Sequence, residues 1–380
     1  MSPFNPQQHA PIHSHPPRSI SFIKLAHIDA PLFFILLAIS GFGLFILYSA
    51  SSGSWDTVQR QATFLGAGFG VMLAVAQIPP MTFKRFTPVL YALGLVLLLA
   101  VLWKGIHAKG AQRWLDLPGL PRFQPSEIMK LAVPMMAAWF FSRKALPAKT
   151  SSLLGVLIIL AVPTLLVVKQ PDLGTALLIL GAGLFVVFLA GLSWRLILSS
   201  VGLGIAVAPV MWFLMYDYQR QRVLTFLSPE RDPLGAGWNT IQAKTAIGSG
   251  GLSGKGWLAG TQSHLDFLPE STTDFIVAVL GEELGLLGML FLLGLYVLLI
   301  LRGLFISLEA QDTFSRLLAG SISLTFFIYV FVNIGMVSGL LPIVGVPLPL
   351  ISVGGTSIVT LFTGFGMLMS IQTHRRWISN

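Results

Sequence analysis

Long apolar stretches separated by short polar segments dominate the chain from about residue 30 onward. Because roughly 20 apolar residues are needed for a helix to cross the hydrocarbon core of a bilayer, each such stretch is a candidate membrane span. The stretches lie near residues 31–48, 58–78, 86–103, 126–141, 153–168, 175–192, 195–215, 274–301, 314–340 and 350–371. The pattern therefore predicts an all-α polytopic membrane protein with about ten transmembrane helices and both termini on the same side.

Two segments interrupt this pattern. Residues 1–29 are rich in Pro and His and lack hydrophobic periodicity, which predicts a disordered tail ahead of a single membrane domain at 30–380. Residues 216–273 form a long loop between the seventh and eighth predicted helices, yet they contain several large apolar side chains. Because structureless loops of this length are uncommon, we expect the loop to fold back over the helix ends, with a short interfacial helix at 238–247.

Composition supports a membrane protein and excludes other classes. Hydrophobic residues make up 54% of the chain and charged residues 10%, against about 25% charged residues in a typical soluble domain. The absence of Cys excludes a disulfide-stabilised secreted scaffold. The net charge of +9 is spread over many short loops rather than gathered on one face, which argues against nucleic-acid binding.

Lys and Arg are distributed unevenly between the two predicted sides of the membrane. The short loops on the side of the termini hold twelve of them, and the short loops on the other side hold six. Short cytoplasmic loops of membrane proteins carry the excess of positive charge. The distribution therefore predicts cytoplasmic termini and an extracytoplasmic position for residues 216–273.

Ionisable residues next to apolar helices are the main candidates for chemistry, because a charge inside a bilayer is costly and usually functional. Glu127 and Lys130 lie three residues apart and hence on one helix face. Two interpretations stay open for them, a structural ion pair and the lining of a substrate cavity. Asp274 opens the eighth predicted helix, where a carboxylate also favours the helix dipole. Glu282 and Glu283 lie deeper along that helix and project away from the face of Asp274.

Two glycine-rich or proline-rich segments predict irregular backbone. Residues 248–256 (GSGGLSGKG) lack the GxxxxGK[ST] spacing of a phosphate-binding loop, so a flexible turn is the better interpretation. Residues 333–355 place Asn333, three prolines and a glycine pair between the last two predicted helices. Since non-helical backbone at membrane depth must be satisfied by protein or water, this segment is either the wall of a groove or a plain tight turn.

A basic set of side chains borders the predicted extracytoplasmic side. Arginine binds phosphate oxygens in a bidentate manner, and a positive surface attracts anionic headgroups. Together with the carboxylate of Asp274, the set predicts a membrane-held substrate with an anionic headgroup in the outer leaflet. Its members are Arg113, Arg122, Lys130, Arg220, Arg222 and Lys244.

Five motifs in one order give the chain a resemblance to a known family, the shape, elongation, division and sporulation proteins, and within it to the members that determine rod shape. The motifs are GAQRWL at 110–115, RFQPSE at 122–127 with Lys130, QPDLGT at 170–175, FLPE at 267–270 leading to TDF at 273–275, and the segment at 333–357. The resemblance covers the chain from the first predicted helix to the last. Val353 and Thr272 depart from the usual pattern of the family.

The resemblance implies a ten-helix peptidoglycan glycosyltransferase of the bacterial inner membrane. Such an enzyme polymerises lipid II into glycan strands at the outer leaflet, releases the undecaprenyl pyrophosphate carrier, and works with a class B penicillin-binding protein that supplies the transpeptidase. By motif match, Asp274 takes the position of the catalytic aspartate. The residues expected to bind the substrate are Arg113, Arg122, Gln124, Glu127, Lys130, Arg220, Arg222 and Lys244.

The chemistry of this reaction fits a single inverting displacement. Asp274 acts in this hypothesis as the general base that takes the proton of the acceptor hydroxyl, while basic side chains bind the leaving pyrophosphate. A divalent cation such as magnesium could assist the leaving group, and the sequence does not decide whether one is used; no metal-ligand set is predicted. Two other functions stay open, a lipid II flippase and a non-catalytic scaffold for the transpeptidase.

Overall fold

The computed structural model describes residues 27–108, 111–116, 122–147, 150–215, 217–228, 236–264 and 270–375, so the predicted tail at 1–29 lies almost wholly outside the described residues. The described residues form thirteen helices and one antiparallel two-stranded hairpin. In chain order these are α1 (Ala30–Ala50), α2 (Trp55–Ala76), α3 (Pro80–Lys104), β1 (Ile106–Ala108), β2 (Ala111–Trp114), α4 (Pro125–Phe141), α5 (Thr150–Val168), α6 (Leu173–Leu189), α7 (Trp194–Leu214), α8 (Asp217–Leu227), α9 (Ala236–Gly250), α10 (Thr261–His264), α11 (Ile276–Glu309), α12 (Thr313–Val337) and α13 (Thr356–Thr373).

The long helices lie where the apolar stretches are. Within the described chain, ten helices span 17 residues or more, namely α1–α7 and α11–α13, and each covers one predicted stretch. Four helices of the described part are long and apolar enough to cross a membrane by length and composition, and they are α1, α3, α11 and α12. Shorter apolar helices occupy Ser152–Val168 and Leu173–Leu189. The chain thus has the build of a helical polytopic membrane protein, as the sequence predicts.

Short polar side chains fix where several helices begin. Asp29, Ser54, Asp172 and Asp312 each accept a hydrogen bond from a backbone N–H in the first turn of the helix that follows. Such a cap satisfies one of the N–H groups that a helix start leaves without an intrahelical partner, and it contributes about 1 kcal/mol. α4 begins instead with Pro125, whose missing N–H suits the first helical position.

One end of the bundle, which we call the Asp274 end, brings together the starts of α4, α6, α11 and α13. There, the hydroxyl of Ser271 donates to the carbonyl of Ala50 at the end of α1 (3.2 Å). At the opposite end, Arg302 Nε of α11 donates to Asp29 Oδ1 ahead of α1 (3.1 Å). Polar contacts therefore tie the helices together at both ends of an apolar interior.

A break in α11 is filled by the glycine-rich segment at 248–256. Gly285 has a φ of 63° and a ψ of −159°, which interrupts the hydrogen bonding of the helix. The N–H groups of Lys255 and Gly256 donate to the carbonyls of Glu282 and Glu283 (3.0 Å each), and two N–H groups beyond the break donate back to the segment. Its glycines thus serve close backbone contact with α11, a structural role that the interpretation as a flexible turn did not include.

Two carboxylates of α11 are completely buried beside this break. Glu282 accepts hydrogen bonds from Lys255 Nζ (2.7 Å) and from the backbone N–H groups of Thr261 (2.8 Å) and Gln262 (3.0 Å). Glu283 accepts a hydrogen bond from a serine hydroxyl of α1 (2.5 Å). A buried carboxylate is stable only when it is paired or hydrogen-bonded. The contacts of Glu282 therefore fasten the chain at 255–262 to α11, and the contact of Glu283 fastens α1 to α11.

Residues 216–273, expected to fold back over the helix ends, contain α8, α9 and α10. α9 covers the interfacial helix expected at 238–247 and packs against α11 and α12. The helices approach closely, because a Cβ atom on Gly250 would clash with the carbonyl oxygen of Gly281. The described part of this segment therefore lies against the bundle.

We expect Gly285→Ala to destabilise the protein. The new Cβ atom would lie 2.4 Å from the Gly254 nitrogen and 2.7 Å from the Leu252 carbonyl oxygen, at a backbone conformation that L residues rarely adopt. Strain of this kind costs about 1–3 kcal/mol, which thermal unfolding of the solubilised protein will show as a lower melting temperature. Gly294→Ala is the matched control in the same helix, since no atom lies within 4 Å of its Cβ position. Equal melting temperatures for the two variants would contradict the assigned role of the break.

Candidate active site

The turn that carries Asp274 is fastened to the irregular segment between α12 and α13. Ser352 Oγ donates to the carbonyl of Thr273 (2.5 Å), and the N–H of Val353 donates to the carbonyl of Thr272 (3.0 Å). Thr272 and Val353, the two residues that depart from the usual pattern of the family, are therefore neighbours in the structure. They are joined through their backbones, so the bond does not depend on which side chains they carry.

Asp274 lies in the turn at 270–275, and α11 begins at Ile276, so the prediction that Asp274 opens the helix is wrong. Asn333 of α12 donates from Nδ2 to the carbonyl of Asp274 (3.0 Å) and to the carbonyl of Val346 (2.8 Å). A Cβ atom on Gly345 would lie 3.6 Å from Asp274 Oδ2. Asp274 therefore lies directly before the N-cap residue of α11 and borders the irregular segment at Gly345.

Asp274 lines an open cleft at its end of the bundle. The empty volume of this cleft is about 1410 Å³, open solvent included. Its walls come from α4, α6, α12, the turn at 270–275 and residues 344–357, so the irregular segment is the wall of a groove rather than a plain turn. The polar side chains of the lining include those of Arg113, Gln124, Glu127, Lys130, Asp172, Glu270, Thr273, Asp274, Tyr329, Thr356 and Ser357.

Glu127 and Lys130 form a close ion pair in the cleft wall. Lys130 Nζ lies 2.6 Å from Glu127 Oε1, and each side chain is only 10% exposed. The ammonium also lies over the ring of Tyr329, 5.4 Å from its centroid. The second carboxylate oxygen of Glu127 is buried with no hydrogen-bond partner among the described residues. Both interpretations of Glu127 and Lys130 therefore apply: they form an internal ion pair, and they line a cavity.

Asp172 joins three parts of the cleft, and sequence reasoning did not select it. Its Oδ1 caps α6 by accepting from the N–H of Thr175 (3.2 Å). Its Oδ2 accepts from Gln124 Nε2 (3.1 Å) and lies 3.4 Å from Arg113 Nη1. The QPDLGT motif contained the signal, because an aspartate directly before an apolar stretch is a typical helix cap. Tyr329 was also missed, since a tyrosine inside an apolar stretch looks like an ordinary core residue.

Both cations of the cleft lining are paired with carboxylates. Two cations, Arg113 and Lys130, share the lining with four carboxylates, those of Glu127, Asp172, Glu270 and Asp274. Each cation already contacts one carboxylate, so an anionic substrate has to compete with Glu127 and Asp172 for them. Among the described residues, no group of three or more His, Asp and Glu side chains is placed to hold a metal ion.

Three of the other predicted substrate-binding residues lie outside this cleft. Arg122 pairs with Asp116 (3.1 Å) and is 67% exposed. Arg220 donates from Nε and Nη2 to two carbonyls in the last turn of α7 (2.9 and 2.7 Å), so it acts as a helix cap there. Lys244 lines a second cavity. The side chain of Arg222 lies outside the described residues. The structure therefore brings Arg113, Gln124, Glu127 and Lys130 together with Asp274 and places Arg122, Arg220 and Lys244 elsewhere.

An apolar cavity adjoins the cleft. Its empty volume is about 720 Å³, and it shares Glu127, Lys130 and Tyr329 with the cleft lining. It continues between α4, α12 and α13 along side chains such as Phe326 and Phe365. A polar cleft that opens into an apolar cavity suits an amphiphilic ligand, because each part of the ligand meets a surface of its own polarity.

The chain is similar in sequence to named proteins over nearly its whole length. It is 54% identical to the peptidoglycan glycosyltransferase MrdB of Escherichia coli strain K12 over 364 residues, which is 96% of this chain and 98% of that one. It is 36% identical to the probable peptidoglycan glycosyltransferase FtsW of Trichlorobacter lovleyi, over 92% of this chain and 94% of that one.

Two solved structures share the fold. One is a chain from a study of how a peptidoglycan synthase complex coordinates polymerization and crosslinking, with a TM-score of 0.81, 31% identity, and coverage of 92% of this chain and 98% of that one. The other is the rod shape determining protein RodA of Thermus thermophilus, with a TM-score of 0.68, 29% identity, and coverage of 90% and 96%. The family model of the cell cycle proteins FtsW, RodA and SpoVE matches residues 30–377. The chain belongs to this family.

Proposed function

We infer that the chain is a peptidoglycan glycosyltransferase. The observation that carries this inference is the convergence of Asp274, the Glu127–Lys130 pair and the Arg113–Asp172 pair on one cleft, in a chain 54% identical to a protein of that name. Transfer of a sugar from a pyrophosphate-linked donor needs a base for the acceptor and cations for the leaving group. This cleft holds both kinds of side chain.

The proposed substrate is lipid II, polymerised into glycan strands for cell elongation and rod shape. Its sugars and pyrophosphate match the polar cleft, and part of its lipid matches the adjoining apolar cavity between α4, α12 and α13. Lys130 and Tyr329 line both spaces, so in this proposal they contact the substrate where its headgroup joins its lipid. The polarity of the two spaces supports a lipid-linked substrate over a soluble sugar nucleotide, which has no apolar chain to bury.

In the proposed mechanism, Asp274 takes the proton from the acceptor hydroxyl as that oxygen attacks the anomeric carbon. The lipid-linked pyrophosphate leaves from the opposite face of the donor sugar in a single inverting displacement. Arg113 and Lys130 bind the developing charge, which requires each of them to exchange part of its contact with Asp172 or Glu127 for a phosphate oxygen. The contacts of Arg122 and Arg220 with other groups make these two residues weaker candidates for the same role.

We propose that the ten long helices all cross the bacterial inner membrane and that both termini are cytoplasmic. Residues 30–380 then form one membrane domain behind a tail at 1–29, and residues 216–273 lie on the extracytoplasmic side. Contacts at the helix ends support this arrangement, since Asp29 ahead of α1 binds Arg302 and Arg375 after α13 binds Glu309, both in the part of α11 that is remote from Asp274. The cleft accordingly opens at the outer leaflet.

We propose a class B penicillin-binding protein as the partner that crosslinks the strands. A chain of this fold has been solved in work on a peptidoglycan synthase complex that polymerises and crosslinks, and this chain shares 31% identity with it. Membrane lipid surrounds the remaining apolar faces, where α7 and α11 expose Phe213 and Leu308 among other large side chains.

Purified protein in lipid vesicles tests this function against its main alternative, a lipid II flippase. The vesicles receive lipid II, and glycan strands are separated by size while a parallel assay follows transfer of lipid II between leaflets. We expect strands from the purified chain alone. Leaflet transfer without strand formation would favour the flippase, and neither activity would favour the non-catalytic scaffold.

We expect Asp172→Ala to raise the KM for lipid II roughly tenfold, because Asp172 holds Arg113 and Gln124 in place in the cleft lining, and loss of this positioning outweighs the removal of a carboxylate that competes with the substrate for Arg113. Asp312→Ala is the matched control. It removes the same kind of helix cap, the Asp312 contact to the N–H of Ser315 (3.1 Å), from the opposite end of the bundle. Strand synthesis at several lipid II concentrations measures both variants. Equal KM changes would mean that Asp172 acts only as a cap.

A further inference from the structure

A second cavity at the Asp274 end has no role in the mechanism above. Its empty volume is about 690 Å³, and it lies between α8, α9 and the chain that follows α12. Most of its lining is apolar, with side chains from Phe226, Leu341, Pro342 and Ile343, and its polar side chains are those of Thr225, Asn239, Thr240 and Lys244. No carboxylate is present among the described residues of its lining, whereas the cations of the cleft at Asp274 each have one.

Lys244 is the one charged group among the described residues that line this cavity. Its side chain is exposed and lies over Gly339, just past the end of α12. A Cβ atom on Gly339 would lie 2.5 Å from Lys244 Nζ, so any other residue at position 339 would displace the ammonium from its observed position. A cation next to a helix C-terminus is favourable in itself. That effect explains where the ammonium lies, but it does not explain the open space beside it.

The two cavities are separated by a single stretch of chain. Residues 341–343 line the cavity at Lys244, and residues 344–347 line the cleft at Asp274. Asn333 ties this partition to the catalytic turn, because its amide donates to the carbonyls of both Asp274 and Val346. The two spaces are therefore lined by consecutive residues of one stretch of chain.

The chemistry of the second cavity fits an acidic glycan. One ammonium with neutral amide and hydroxyl groups matches a single carboxylate and sugar hydroxyls, whereas pyrophosphate carries more charge and favours several cations. Peptidoglycan consists of amino sugars that carry peptides with carboxylates. We propose that the Lys244 cavity is a subsite for the glycan part of the polymer, next to the pyrophosphate-binding cleft. This proposal rests on the proposed glycosyltransferase function.

Strand length tests the subsite, because a site that holds the polymer affects how many additions occur before release. Reconstituted wild type, Lys244→Ala, Lys244→Arg and Lys169→Ala are compared with lipid II for KM, kcat and strand-length distribution. Lys169→Ala is the matched control, since Lys169 is an exposed lysine after α5 that lines neither cavity. For Lys244→Ala we expect shorter strands and a KM higher by about three- to tenfold, with kcat close to the wild-type value. Lys244→Arg keeps the charge and should restore strand length.

Gly339→Ala provides a second route, because its Cβ atom displaces the ammonium while the charge is kept. Since residue 339 has a φ of 73°, the melting temperature of this variant is measured alongside, so that backbone strain is told apart from displacement of the ammonium. It should shorten the strands in the same direction. Wild-type strand lengths and KM for Lys244→Ala, in a preparation where the wild type polymerises, would overturn the subsite alone. A wild type that makes no strands would instead overturn the proposed function, and the subsite with it.

Discussion

Asp274→Asn is expected to reduce the rate of strand synthesis by at least 100-fold. A positioned general base contributes about 10²–10⁴ to a rate, and asparagine cannot take the proton of the acceptor hydroxyl. The substitution is nearly isosteric, and the bond from Asn333 goes to the backbone carbonyl of residue 274 rather than to its side chain. The turn should therefore keep its position, so that the loss is one of kcat.

Asp56→Asn is the matched control for this prediction. Asp56 is an exposed aspartate in the first turn of α2 and does not line the cleft. It should retain the wild-type rate, and both variants should unfold at the wild-type temperature. A fall in activity that accompanies a lower melting temperature of Asp274→Asn would point to a structural role for the carboxylate instead of a catalytic one.

Lys130→Ala is expected to abolish measurable synthesis and also to destabilise the protein. Removing the ammonium leaves the carboxylate of Glu127 buried without its ion-pair partner. Breaking a buried pair from one side costs about 3–5 kcal/mol. Loss of a group that binds developing negative charge costs a further factor of about 10²–10³ in rate. Thermal unfolding and strand synthesis measure the two effects separately.

The double variant Glu127→Ala/Lys130→Ala separates stability from catalysis. With both charges removed, no unpaired buried charge remains, so most of the lost stability should return. Activity should stay absent, because the cation that would bind pyrophosphate is still missing. A double variant that regains both its melting temperature and its rate would show that the pair has only a structural role.

The helical framework could be predicted from the sequence because membrane spans depend on a strong local signal. About 20 apolar residues in a row suffice, and each of the ten stretches became a helix. The break at Gly285 was missed, since a glycine inside an apolar stretch is compatible with an unbroken helix. The break depends on backbone contacts with a segment about 30 residues earlier in the chain, and no local pattern reports such contacts.

Some residues selected from the sequence lie together in the structure and others do not. Asp274 and the Glu127–Lys130 pair were selected by motif and by helical spacing, and the structure places them in one cleft. Arg220 was selected as a basic residue on one predicted side, and Arg122 was selected both for its charge and as the first residue of the RFQPSE motif. Their partners, a nearby aspartate and two helix carbonyls, depend on local geometry that charge counting does not contain.

The most direct test of a catalytic cleft at Asp274 measures lipid II binding and strand formation on the same vesicles. Wild type and Asp274→Asn are reconstituted at equal density, bound lipid II is quantified, and strands are then separated by size. We predict that both proteins bind lipid II with similar affinity and that only the wild type converts it into strands. Strand formation by Asp274→Asn at the wild-type rate would contradict the assignment of Asp274 as the general base.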